Sequence, residues 1–130
     1  MVIDTSALIA ILLAEPSADR LQAALESDPV RLVSAATVVE ASLVMLRRFG
    51  DAGDSSLDRL LRALDADVIA VDLAQTSAAR DAAMRYRRGH HPAALNFGDF
   101  FSYALASVLG ETLLFVGDDF AQTDITAVAW

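Results

Sequence analysis

The chain has no cysteine and no lysine. The first absence excludes disulfides and thiolate metal sites, and it agrees with a reducing cytoplasm. The second leaves arginine as all ten basic residues. Arginine suits two-point contacts with phosphate, although a GC-rich coding sequence produces the same bias. No run approaches the roughly 18 uninterrupted apolar residues of a membrane span, so no membrane contact is expected. No basic segment precedes the first apolar stretch, so no secretory leader is expected either. Repeats, low-complexity tracts and linkers are missing too.

What is present fits one domain spanning residues 1–130. A chain of 130 residues, 55% of them hydrophobic, can bury a core of its own and is not disordered in composition. The net charge of -8 argues against indiscriminate binding to polyanions. A total hides patterning, however. Acids gathered around divalent cations would show a polyanion far less negative charge.

Short apolar segments alternate with helical ones. Strands are expected at 2–4, 32–34, 68–71 and 112–116, with 125–128 as an optional fifth. Helices are expected at 5–14, from Pro16 to Ser27, at 34–50, from Leu57 onward, at 72–88 and at 96–109. Thr5 or Ser6 is a candidate cap for the first helix and Asp72 for the fifth. Gly50 and Gly110 are placed to close two others. Leu57, Leu60, Leu61 and Leu64 share one helical face. DAGDSS (51–56) and GHHPA (89–93) have loop composition. This alternation predicts an α/β fold with a parallel sheet of four to five strands and helices on both faces.

In such folds ligands bind beyond the carboxyl ends of the strands. Asp4 ends the first strand, and Asp118 and Asp119 follow the fourth. Glu40 lies early in the helix after the second strand, and Asp99 near the start of the sixth helix. Helix capping is the plain alternative for Asp4, Asp99 and Asp118 taken singly. Glu40 is flanked by Val38, Val39, Ala41, Leu43 and Val44, where an unpartnered carboxylate is costly. Four segments delivering acids to one rim make a hard-oxygen site suited to Mg²⁺ or Mn²⁺ rather than zinc. Such ions promote phosphodiester hydrolysis.

Four stretches carry a family resemblance. They are MVIDTSALIAILLAEP, SAATVVEASLVM, GHHPAALNFGDFFSYALA and LLFVGDDFAQTDI, in that order and over nearly the whole chain. The sequence resembles the PIN-domain family, and within it the VapC-type toxin ribonucleases of type II toxin–antitoxin systems. The resemblance implies Asp4, Glu40, Asp99 and Asp118 as the catalytic acids, with Asp4, Asp99 and Asp118 on the metal. Asp119 is the alternative to Asp118, because the acid that many relatives place three residues before the motif's Phe is Gly117 here. The resemblance further implies an RNA substrate, a VapB-type antitoxin as partner, and a homodimer or toxin–antitoxin hetero-oligomer. The other readings are a PIN-fold nuclease acting on structured DNA or in RNA processing, and a non-catalytic PIN-fold binding module.

Supporting roles stay open at this level. Thr5 and Ser6 either bond the carboxylates or a metal-bound water, or cap their helix. Asn96 either orients Asp99 or caps. Arg85, Arg87 and Arg88 either complement a helix dipole or touch RNA phosphates, with Arg87 and Arg88 the candidates for substrate contact. His90 and His91 are read as loop residues, neither ligands nor bases. An aspartyl phosphotransferase or receiver reading fails for want of a lysine and of an acid at Ser6.

Overall fold

A computed structural model describes all of residues 1–130. Its four strands are β1 (Val2–Ile3), β2 (Leu32–Ser34), β3 (Asp67–Ile69) and β4 (Leu113–Leu114), all parallel, in the order β3-β2-β1-β4. Six helices accompany them: α1 (Thr5–Leu12), α2 (Ala18–Ser27), α3 (Ala35–Phe49), α4 (Asp51–Ala63), α5 (Leu73–Tyr86) and α6 (Asp99–Leu109). No helix is long and apolar enough to cross a membrane.

The strands are apolar throughout because both faces of the sheet are covered. Ile3, Val33 and Leu114 point to one side, where they pack with Leu8, Leu21, Leu25, Ala41, Leu57 and Leu61 of α1 to α4. Val2, Leu32 and Leu113 point to the other, against Ala82 and Tyr86 of α5 and Tyr103 and Leu105 of α6. One residue of register in β1 therefore separates two cores.

Three expectations need correction. DAGDSS is helical, the opening of α4. Asp51 and Asp54 favour a helix N-terminus, Ser42 Oγ donates to Asp54 Oδ1 at 2.5 Å, and Gly53 lets α4 approach α3. A Cβ there would come 2.5 Å from the Met45 carbonyl oxygen. The fifth strand is only an isolated bridge, Leu113 to Ala127. The chain end there is anchored instead by Trp130 Nε1 donating to the Phe115 carbonyl at 3.1 Å. The sixth helix starts at Asp99 rather than Asn96. Asp72 does cap α5, accepting the Gln75 N–H at 2.8 Å.

The strand order turns at β1. From β1 the chain moves outward through β2 to β3, then returns to lay β4 on the other side. A crevice at such a reversal, at the carboxyl ends of its strands, is where α/β sheets bind ligands. Asp4 stands directly after β1.

Candidate active site

A cavity of about 360 Å³ opens at that crevice. Asp4, Glu40, Asp99 and Asp119 line it, together with Thr5, Ser6 and Asn96. Asp118 does not, so of the two acids after β4 it is Asp119 that faces the cavity. Glu15, just past α1, is a further acid on its wall, beside Ile9, Val44, Val116 and Phe120. Reading the sequence passed over Glu15 because it follows no strand. The chain turns back at Ala14, φ 50°, and alanine carries no turn signal that could have marked it.

Asp4 is itself the cap of α1, correcting the assignment of that role to Thr5 or Ser6. Its Oδ2 accepts the Ser6 N–H at 2.9 Å and the Ser6 hydroxyl at 2.6 Å. The same hydroxyl accepts the Val116 N–H at 3.0 Å, which ties the end of β1 to the segment after β4. Asp4 is only 3% exposed, and its Oδ1 is buried with no donor. One oxygen of Asp4 thus caps α1 while the other is left without a donor. Thr5 is not a cap. Its hydroxyl donates to Glu40 Oε2 at 2.5 Å, giving the carboxylate on α3 the partner that its apolar neighbours cannot.

Asp99 and Asn96 hold each other. Asp99 Oδ2 accepts the Asn96 N–H at 2.7 Å, while Asn96 Oδ1 accepts the N–H groups of Gly98 and Asp99 at 2.7 and 3.2 Å. This reciprocal arrangement resembles a capping box, so Asn96 braces the turn that leads into α6 and orients Asp99 at once. Asp99 is 8% exposed. Burial first, and after it the charges of Asp4, Glu40 and Asp119, push its carboxyl up to about 7 against the pull of the Asn96 N–H. The protein has gathered more negative charge than it neutralises, and no arginine lines the cavity.

That excess is what a divalent cation would relieve. The donors are carboxylate, hydroxyl and amide oxygens, the hard set that Mg²⁺ and Mn²⁺ prefer. An orphaned buried oxygen on Asp4 adds to the fit. No three acids converge as a closed ligand set. Mg²⁺ seldom needs one, since it keeps several waters and takes one or two carboxylates.

The arginines lie elsewhere. Arg85 Nη2 pairs with Asp124 Oδ2 at 2.8 Å, Tyr103 donates to Asp124 Oδ1 at 2.7 Å, and the Arg85 guanidinium stacks on the Tyr86 ring. Arg87 Nη1 donates to the carbonyls of Ala83 and Met84 at the end of α5. Arg88 is exposed, and its side chain makes no hydrogen bond or ion pair. His91 Nδ1 accepts the Ala93 N–H at 3.1 Å and its ring meets Tyr86 edge-on. Neither histidine reaches the cavity.

The parallel sheet reverses at an acid-lined crevice, and the chain belongs to the PIN domain family, whose model matches residues 1–125. Its relatives narrow this to the VapC ribonucleases. It is 50% identical to Ribonuclease VapC30 of Mycobacterium tuberculosis (strain H37Rv) over 129 residues, which cover 99% of this chain and 98% of the relative. It is 51% identical to Ribonuclease VapC of Mycolicibacterium smegmatis over 128 residues, or 98% and 99% of the two chains. The fold matches the crystal structure of Mycobacterium tuberculosis VapC20, a sarcin-ricin loop cleaving toxin. The TM-score is 0.79 at 20% identity, covering 98% of this chain and 97% of that one. It also matches VapBC2 from Rickettsia felis bound to a promoter DNA fragment. There the TM-score is 0.75 at 13% identity, covering 98% and 96%.

Proposed function

We propose that this chain is the toxin of a toxin–antitoxin pair, a single-domain endoribonuclease that requires Mg²⁺ or Mn²⁺ and acts in the cytoplasm. The observation that carries the reading is the convergence of Asp4, Glu40, Asp99 and Asp119 on one cavity, with Asp99 pushed up to about 7. Asp4, Asp99 and Asp119 are the acids from which the cation would draw its one or two carboxylates. Asp119 replaces Asp118 in that set because only Asp119 lines the cavity. When bound, the cation supplies charge stabilisation to the phosphodiester and lowers the pKa of an attacking water.

The chain's own residues supply orientation. Ser6 fixes Asp4, and Asn96 fixes Asp99. Thr5 holds one oxygen of Glu40, leaving the other to accept a proton from water. The chain's relatives are VapC ribonucleases, and one structural neighbour is a VapBC assembly. A VapB-type antitoxin is accordingly the partner we assign. Exposed Val39, Leu43, Leu46 and Phe49 along α3, and Phe97 beside it at 77% exposed, form an apolar surface suited to that partner or to a second copy.

The test is cleavage of total RNA with Mg²⁺ or Mn²⁺, comparing wild type with Asp4→Asn. Wild type should cut and leave 5′-phosphate and 3′-hydroxyl ends, and the variant should not. Cleavage that survives EDTA, or 2′,3′-cyclic phosphate products, would exclude this mechanism. Arrested growth on expression, relieved by Asp4→Asn, separates a toxin from a processing nuclease.

A further inference from the structure

Gly98 precedes α6 with φ -66° and ψ -41°, a right-handed conformation open to every L residue. Its backbone gives no reason for glycine, and glycine carries an entropic cost on folding. Its surroundings do give a reason. A Cβ built on Gly98 would overlap the Glu40 carboxylate, and the three nearest atoms it would meet all belong to that group. Glu40 occupies the volume that a side chain at position 98 would fill. From there its Oε2 takes the Thr5 hydroxyl at 2.5 Å. Glu40 also stands between the acidic cavity and a neighbouring apolar hollow of about 250 Å³, which Gly98, Leu43, Phe97 and Phe101 help to line.

We propose that Gly98 is a positioning residue for the nuclease reaction: its missing side chain is the slot that keeps the Glu40 carboxylate on Thr5. The inference rests on the assignment of Glu40 to the catalytic set. The obstacle to a methyl group at position 98 is the far end of a flexible side chain, not backbone. Alanine there therefore displaces the carboxylate and leaves the fold in place. Stability and activity should respond in opposite senses, since alanine also removes the entropic cost of glycine.

The experiment compares wild type, Gly98→Ala, Glu40→Gln, Glu40→Ala and the Gly98→Ala/Glu40→Ala double variant. Gly98→Ala should melt at or above the wild-type temperature. Its KM for a short RNA should stay within about twofold while kcat falls roughly 10- to 100-fold, the effect of a displaced catalytic group. A second reading needs no activity. In metal-free buffer, Gly98→Ala should raise Tm more in the Glu40→Ala background than in wild type, because the slot is then empty. Additive Tm changes would overturn the inference, as would a lowered Tm for Gly98→Ala. Full kcat in Gly98→Ala beside an inactive Glu40→Gln would overturn it and leave the nuclease reading intact. Full activity in Glu40→Gln would instead remove Glu40 from the reaction, and this inference with it.

Discussion

Thr37 Oγ1 and Ser102 Oγ lie 3.1 Å apart, both wholly buried, where α3 meets α6. Each stands three residues from an acid of the cavity, Thr37 before Glu40 and Ser102 after Asp99. One hydroxyl pair thus joins the two helices that carry those acids. Removing either hydroxyl strands its partner away from water, which costs about 1–3 kcal/mol. Thr37→Val and Ser102→Ala should each lower stability in urea unfolding by that order. The double variant should cost less than the sum, because nothing is then left unsatisfied.

Asp99 makes metal-free stability depend on pH in a defined direction. Its folded pKa is raised from 3.8 to about 7. The native protein therefore keeps a proton that the unfolded chain releases, and stability falls as pH rises between those values. Above about 7 this contribution should level off. Melting curves in EDTA from pH 4 to 8 should show the decline, and Asp99→Asn should remove it. Mg²⁺ should raise Tm more at pH 8 than at pH 5, since cation and proton compete for the same carboxylates.

The two acids after β4 should behave differently. Asp119 lines the cavity and adds to the charge on Asp99, whereas Asp118 does neither. Asp119→Asn should lower kcat roughly 10- to 100-fold, the usual cost of losing a group that supports a metal site. Asp118→Asn should stay near wild type. Single-turnover cleavage of one short RNA by both variants decides the matter.

The three arginines should separate in a salt titration paired with a melt. Arg85→Gln should destabilise without changing RNA affinity, because the guanidinium is engaged by Asp124, Tyr86 and Tyr103. Arg87→Gln should cost about 0.3–1 kcal/mol of stability at low salt, as a cation lost from a helix C-terminus. The Arg88 side chain has no hydrogen-bonding or ionic partner within the chain, although its backbone N–H donates to the Leu95 carbonyl. If it contacts a phosphate, Arg88→Gln should flatten the salt dependence of RNA binding by about 0.7 for a single strand. An unchanged slope would assign Arg88 to the surface alone.

The parallel sheet and three of its acids were legible because they follow from local pattern. Val2-Ile3 and Leu32-Val33 are too apolar for a half-exposed sheet, and an acid after such a strand stands out. DAGDSS misled because glycine and serine are loop residues by composition. Its helix depends on contacts with Ser42 and Met45 on α3, which no local window contains. The choice between Asp118 and Asp119 turns on how the chain leaves Gly117, at φ 107°, and spacing alone does not encode that. Glu15 reaches the cavity by a turn at Ala14, where alanine signals nothing. The alternatives posed for Asp4 and Asn96 dissolve for a simpler reason. A carboxylate has enough acceptor sites to cap a helix and serve a cavity together, while Asn96 divides its work between its amide oxygen, which takes the Gly98 and Asp99 N–H groups, and its backbone N–H, which goes to Asp99.

The strand order also bears on how the enzyme is made. β1 pairs Val2 with Leu113 of β4, a neighbour translated long after it. Asp4 and Asp119 enclose one cavity from opposite ends of the chain. Contacts of such long sequence separation form late. For a nuclease built this way, a chain translated only as far as β3 still lacks Asp99 and Asp119 and so has no complete set of acids.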